Sequence, residues 1–165
     1  MATGAWSPVL VHSLKLKLSI QPAKGYSLTY KRPASSPHLP LSLAERKIAV
    51  TPMGEMLRFT STLELAGFDP LINQQRLETI RRSVKEYLPG MENLEQETIW
   101  SGYRPATPDD LPIIERNKKF KNLILATDHG TLGMTQGPTT GQLVAQIITG
   151  EQPSIDLAPF RADRF

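Results

Sequence analysis

Residues 123–150 read as a short strand, a glycine loop and a helix in unbroken succession. Leu123-Ile124-Leu125-Ala126 is a brief apolar run of the length a buried strand needs. Thr127-Asp128-His129-Gly130-Thr131-Leu132-Gly133 follows, a loop with two glycines. Leu143, Val144, Ile147 and Ile148 then recur at helical spacing until Gly150 ends the run. The spacing predicts a helix over 138–149, opened by Pro138, that aims free amides and the positive end of its dipole at whatever lies ahead. Gly130 and Gly133 let backbone approach a ligand closely. Such a cradle suits a phosphate, a carboxylate or an anionic ring edge. It is not a dinucleotide fingerprint, since neither G-x-G-x-x-G nor G-x-x-x-x-G-K-[ST] occurs.

The rest of the chain alternates instead. Leu14-Lys15-Leu16-Lys17-Leu18-Ser19-Ile20 has the period of a half-buried strand, and Gly25 to Tyr30 reads as a second. Pro33, Pro37 and Pro40 make Arg32 to Pro40 a loop. Lys47–Pro52 and Met56–Leu65 read as an antiparallel hairpin turning at Met53-Gly54-Glu55. Leu77, Ile80, Val84, Tyr87 and Leu88 predict a helix over 73–88, stopped by Pro89-Gly90. Leu94 to Tyr103 reads as a strand, after which Pro105, Pro108 and Pro112 force an extended path. The class expected is α+β: a mostly antiparallel sheet with a long helix, plus the late strand–glycine loop–helix unit.

At 165 residues the chain suffices for one ordinary domain with a core. With 39% hydrophobic and 21% charged residues it reads as neither a disordered tail nor a membrane-spanning protein. Met1 to Leu10 lacks the pattern of a secretory signal. The absence of cysteine removes disulfides, thiolate metal sites and a cysteine nucleophile. His12, His38 and His129 share no metal spacing, and Ser7, Ser27 and Ser101 lack a G-x-S-x-G setting, so neither a metal site nor a serine hydrolase is expected. The net charge is only +3. Basic residues gather early, at Lys15, Lys17, Lys24, Lys31, Arg32, Arg46 and Lys47, with Glu45 the one acid among them. That stripe fits the solvated face of strands, or a phosphate or anionic membrane surface. No nucleic-acid-binding motif accompanies it.

Arg104 leaves a strand between Tyr103 and Pro105, with few conformations open to it. Its planar fork matches a carboxylate, supplied either by an anionic small molecule or by Asp109 or Asp110. His129 can serve as a base, as a ligand or as a loop residue bonded to backbone. Tyr26 and Tyr30 pack in the sheet or line a pocket.

Four stretches together resemble the C-terminal part of FAD-dependent D-amino acid dehydrogenases, in the D-amino acid oxidase and glycine oxidase superfamily. They are Ala2-Thr3-Gly4-Ala5-Trp6-Ser7, then Pro22-Ala23-Lys24-Gly25-Tyr26-Ser27, then Trp100 to Pro112 with its W-x-G-x-R-P-x-T-P-D-x-x-P pattern, and His129-Gly130-Thr131-Leu132-Gly133 through Gly150 to Arg164-Phe165. The resemblance implies a substrate-binding domain over 17–111 and part of a flavin-binding domain over 1–16 and 112–165. It implies that Arg104 clamps the substrate carboxylate, with Tyr26 beside the substrate. Gly4, Trp6, His129, Gly130, Leu132, Gly133, Met134 and Thr135 are implied to meet FAD, and no metal is implied. The implied reaction passes the α-hydrogen of a D-amino acid, as hydride, to flavin N5. Hydrolysis of the imino acid then gives a 2-oxo acid and ammonia, and a membrane quinone or other carrier takes the electrons. The residues do not separate a dehydrogenase from an oxidase. A cytoplasmic protein, or one peripheral to the inner membrane, is expected. The family's nucleotide-binding βαβ unit is expected ahead of residue 1, in a preceding segment or subunit, so the chain reads as an incomplete enzyme, inactive alone. The alternative is a non-catalytic carboxylate-binding module without flavin. One departure stands out: the family has glycine where this chain has Asp128.

Overall fold

The computed structural model describes residues 1–91 and 93–165, with the backbone alone at 96 and 97. The chain divides into two compact units, residues 1–23 with 103–165 and residues 24–102. The unit 24–102 is shorter at both ends than the span 17–111 read from the sequence.

In residues 24–102 the framework is a five-stranded sheet in the order β2-β3-β4-β1-β5, formed by β1 (Gln21–Lys31), β2 (Leu41–Leu43), β3 (Ile48–Met53), β4 (Met56–Thr60) and β5 (Gln96–Ala106). The chain crosses between the units within β1 and β5. The pairings β1·β4, β2·β3 and β3·β4 are antiparallel, as alternating patterns favour. Met53 pairs with Met56, so the hairpin turn is only Gly54-Glu55, with Gly54 at φ +60°. β4 stops at Thr60 rather than Leu65. Beyond it, among the described residues, an isolated bridge joins Lys24 to Glu64, and Gly67 at φ +66° then turns the chain away.

Helix α2 (Gln74–Tyr87) begins where Asn73 Oδ1 accepts the amides of Gln75 and Arg76. Its Leu77, Ile80 and Val84 pack onto Tyr26, Leu28 and Tyr30 of β1, Ile48 and Val50 of β3, and Leu57 and Phe59 of β4. Burying this one stripe holds the helix to the sheet.

Lys24 belongs to this unit's interior, not to a solvated basic stripe. Its side chain is 1% exposed, and its ammonium donates to Asp69 O (2.9 Å), Asp69 Oδ2 (3.2 Å) and Leu71 O (2.8 Å). Glu64 completes the group, taking the Tyr26 hydroxyl and pairing with Arg76 at 3.5 Å. Burial opposes the charge on Lys24, but hydrogen bonding to Tyr26 and Asp69 outweighs it and leaves the pKa above its usual value.

In residues 1–23 and 103–165, β6 (Ile113–Arg116) and β7 (Ile124–Thr127) form an antiparallel pair. Helix α3 (Gly133–Thr149) follows β7. Met1 lies along β7, giving its amino group to Ile124 O and accepting from Ala126 N at 3.0 Å. A 3-10 turn (Gly4–Trp6) then leads into α1 (Ser7–His12), a helix the sequence did not announce. It is six residues long and holds two valines, too short and too β-branched to declare a helical period.

The strand expected over Leu14–Ile20 does not form. Those residues take no ladder, yet Leu18 and Ile20 are buried with Val11, Ile113 and Leu125 while Lys15, Lys17 and Ser19 face outward. An extended segment alternates its side chains with or without a neighbouring strand.

Candidate active site

The late unit forms as expected, with one change at its head. α3 starts at Gly133, not Pro138, so Pro138 lies inside the helix. Gln136 N–H bonds Leu132 O at 2.9 Å, starting the helical ladder before the proline. The proline's fixed φ suits a helix, and its missing N–H costs one ladder bond. Met134 and Thr135 are therefore residues of the first turn. Leu132 at the cap contributes no side-chain hydrogen bond, so the leading amides remain open to a ligand.

Along the side of α3 lies an open pocket of about 550 Å³. Its wall includes Ala2, Gly4, Pro105, Ala126, Asp128, His129, Gly130 and the α3 face Gly133, Gly137, Thr140, Gly141 and Val144. A Cβ at Gly137 or Gly141 would meet no atom within 4 Å, so bare backbone faces the space. This is a surface that a flat ring can approach closely, with the polar side chains of Thr127, Asp128, His129 and Thr140 in its wall. The residues thus fit the ring of a flavin, which takes anionic character on reduction.

Hydroxyl contacts fix the parts of this wall to one another. Ser7 Oγ lies 3.0 Å from Thr3 Oγ1 and 2.9 Å from Thr127 Oγ1, tying the Gly4–Trp6 turn to the end of β7. Trp6 stands edge-on to Tyr103 with centroids 5.7 Å apart. His129 Nε2 meets Thr140 Oγ1 at 2.8 Å, which ties the loop to the second turn of α3. Burial lowers the His129 pKa and favours its neutral form.

Arg104 is exposed and enters no ion pair among the described residues. The acid beside it is already taken. Arg164 donates Nε to Asp109 Oδ2 at 2.8 Å and Nη2 to Oδ1 at 2.9 Å, and also reaches Leu111 O. That fork holds the Asp109 carboxyl well below the usual carboxylate range. Arg104, unpaired among the described residues, lies one residue before Pro105, which is in the pocket wall.

Asp128 is the anomaly of the site. It is 2% exposed, its backbone has φ +63°, and neither carboxyl oxygen has a partner among the described residues. A left-handed residue explains why glycine is at home here. Burial, opposed by Arg164 and reinforced by Asp110 and Asp109, raises its pKa to about 6.

Gly4, His129, Gly130 and Gly133 thus come together in one wall. Leu132, Met134 and Thr135 sit at the helix head with exposed side chains, Met134 at 95%. Tyr26 is in the core of residues 24–102, 2% exposed, its hydroxyl committed to Glu64. Sequence reading missed Gly137, Gly141 and Thr140, although glycines at 133, 137 and 141 recur at the spacing of one helix face.

Comparison with known proteins agrees with this architecture. Residues 1–147 match the DAO family, described as FAD dependent oxidoreductase. The chain belongs to that family. It is 41% identical to a D-amino acid dehydrogenase of Granulibacter bethesdensis over 99% of its own length and 40% of the relative's. A D-amino acid dehydrogenase of Xanthobacter autotrophicus is 38% identical, with 99% of this chain and 39% of that one covered. Among solved structures, glycine oxidase from Geobacillus kaustophilus superposes with a TM-score of 0.90 at 28% identity, covering 99% of this chain and 44% of that one. The chain therefore spans about 40% of the length of the curated relatives it matches.

Proposed function

We propose that the chain carries the substrate anchor and the flavin-side cradle of an FAD-dependent oxidoreductase acting on D-amino acids. The glycine-walled pocket along α3, whose first turn has no side-chain cap, is the observation that carries this reading. Gly4, Trp6, His129, Gly130, Leu132, Gly133, Met134 and Thr135 are assigned to the cofactor. FAD, when bound, supplies the acceptor for the α-hydrogen, and the released imino acid hydrolyses to a 2-oxo acid and ammonia. The protein's share is orientation and charge. Arg104 receives the substrate carboxylate in a bidentate pair and fixes which face of Cα is presented. The leading amides of α3 oppose the negative charge that reduction brings. His129, held to Thr140 Oγ1 at 2.8 Å, fixes the glycine loop against α3. Tyr26 reaches a substrate only if Glu64 releases it, so its part is to brace the sheet.

Residues 17–111 are assigned to substrate binding, and 1–16 with 112–165 to the flavin side. A membrane quinone or other carrier is proposed as electron acceptor, with a cytoplasmic protein peripheral to the inner membrane.

Calorimetry with a D-amino acid tests the anchor. Arg104→Ala should weaken binding by at least about 2 kcal/mol, roughly 30-fold. Arg104→Lys should recover only part, having charge without the fork. Equal affinity in all three proteins would refute the assignment.

A further inference from the structure

Asp128 carries two costs that a glycine in its place would not. Its backbone is left-handed, and its carboxyl is buried with neither oxygen bonded among the described residues. Both costs fall in the wall of the α3 pocket, with Thr127 and His129 on either side. The two oxygens are shut off from water, so a charge on them is poorly screened and acts strongly on whatever occupies the pocket. The ionisable groups around this carboxyl come from two other segments: Asp109 and Asp110 follow β5, and Arg164 lies near the end of the chain. Arg164 is spent on Asp109, in a bidentate pair at 2.8 and 2.9 Å, and makes no hydrogen bond to Asp128. Asp110 lies against Gly130, its Oδ1 3.4 Å from where a Cβ on that glycine would stand. His129 is turned to Thr140 and favours its neutral form. Helix α3 and residues 2–7, which complete the wall, carry no acidic or basic side chain. In these surroundings the Asp128 carboxyl keeps its proton to about pH 6.

A buried acid without a partner of its own is suited to answer a change of charge beside it. The ring assigned to this pocket undergoes such a change, from neutral to negative, on reduction. We propose that the Asp128 carboxylate takes up one proton when the ring in this pocket is reduced and gives it back when the ring is reoxidised. The hydride accepted by the ring brings one negative charge into the site, and one proton from water enters at Asp128, so the charge there is unchanged. The proton returns to water when a carrier removes the two electrons. Asp128 is in this sense a tuning residue, which makes the pocket's preference for the reduced ring depend on pH. The coupling is reciprocal: a negative ring raises the Asp128 pKa, and a charged Asp128 weakens the hold on a negative ring by the same factor. That weakening is absent where Asp128 is neutral, below about pH 6, and grows above it. The proposal rests on the flavin reading above and goes beyond it.

The test is anaerobic titration of the chain with oxidised lumiflavin and with dithionite-reduced lumiflavin, at about pH 5 and about pH 8. Between those values the preference of the wild-type chain for the reduced ring should fall by about tenfold more than that of Asp128→Asn or Asp128→Gly. The ring's own ionisation is common to the three proteins and cancels. A merely structural role would change affinity for both ring forms together and leave their ratio alone. In the wild-type chain with isotope-labelled aspartate, the Asp128 carboxyl signal in nuclear magnetic resonance should titrate at higher pH with reduced lumiflavin than with oxidised, a reading that needs no variant. Equal pH dependence in the three proteins, or one Asp128 titration for both ring forms, would overturn the proposal and leave the flavin reading standing. Failure of the wild-type chain to bind either ring form would overturn both.

Discussion

Asp128 has the properties of a residue placed against its own chemistry. An ordinary carboxyl ionises near pH 4, whereas this one holds its proton to about 6 because burial disfavours its charge. The folded chain therefore binds more protons than the unfolded chain between those values. Stability attributable to Asp128 is full below about pH 4, declines as pH rises to about 6, and is flat beyond. The loss is on the order of 2 to 3 kcal/mol. Asp128→Gly removes the charge and suits φ +63°, so it should raise the urea midpoint at pH 7.5 and do little at pH 4. Asp128→Asn, tolerant of the left-handed region, should follow the same pattern. Denaturation curves at the two pH values check this. A gain of equal size at both would assign the effect to backbone conformation alone.

Among the elements, α3 sets helix stability against an open wall. Gly137 and Gly141 each cost about 1 kcal/mol relative to alanine in a helix interior, and nothing lies within 4 Å of a Cβ at either. Gly137→Ala and Gly141→Ala should each raise thermal stability by about that much, measured by calorimetric melting. The gain would show that glycine is kept there for approach and not for packing. β5 gives the opposite case. A Cβ at Gly102 would sit 2.1 Å from the Trp100 ring, which lies over it. Gly102→Ala should displace the indole and change its near-UV circular dichroism. In the interior of residues 24–102, Lys24→Ala would leave the carbonyls of Asp69 and Leu71 without their donor and should cost about 2 to 3 kcal/mol.

At the scale of the whole molecule, what was legible in the sequence was whatever a local period records. The sheet strands, α2 and the run from Leu123 to Gly150 each bury one face, and burial writes itself as spacing. Pairing is not local. Leu14–Ile20 alternates as a strand does but has no ladder, and β6 was read only as an extended path because its partner β7 lies downstream. The head of α3 was set five residues late because a proline is the usual sign of a first turn. At the site, the sequence pointed to Arg104 and the glycine loop. It left open whether Asp109 neutralises that arginine. The answer lies 55 residues away in Arg164, a distance no motif spans. Lys24 looked like a surface charge for the same reason, since its partners arrive from a loop some 45 residues on.

The central claim is that the wall formed by Gly133, Gly137 and Gly141 receives a flavin ring. Its most direct test is titration of the chain with lumiflavin, followed by quenching of the flavin's fluorescence, for the wild-type chain and for Gly137→Leu. Leucine favours the helix and its side chain would occupy the pocket. The expected result is saturable quenching by the wild-type chain and at least about a tenfold loss in Gly137→Leu, with a melting temperature no lower than before. Equal quenching by both proteins, or none by either, would contradict it.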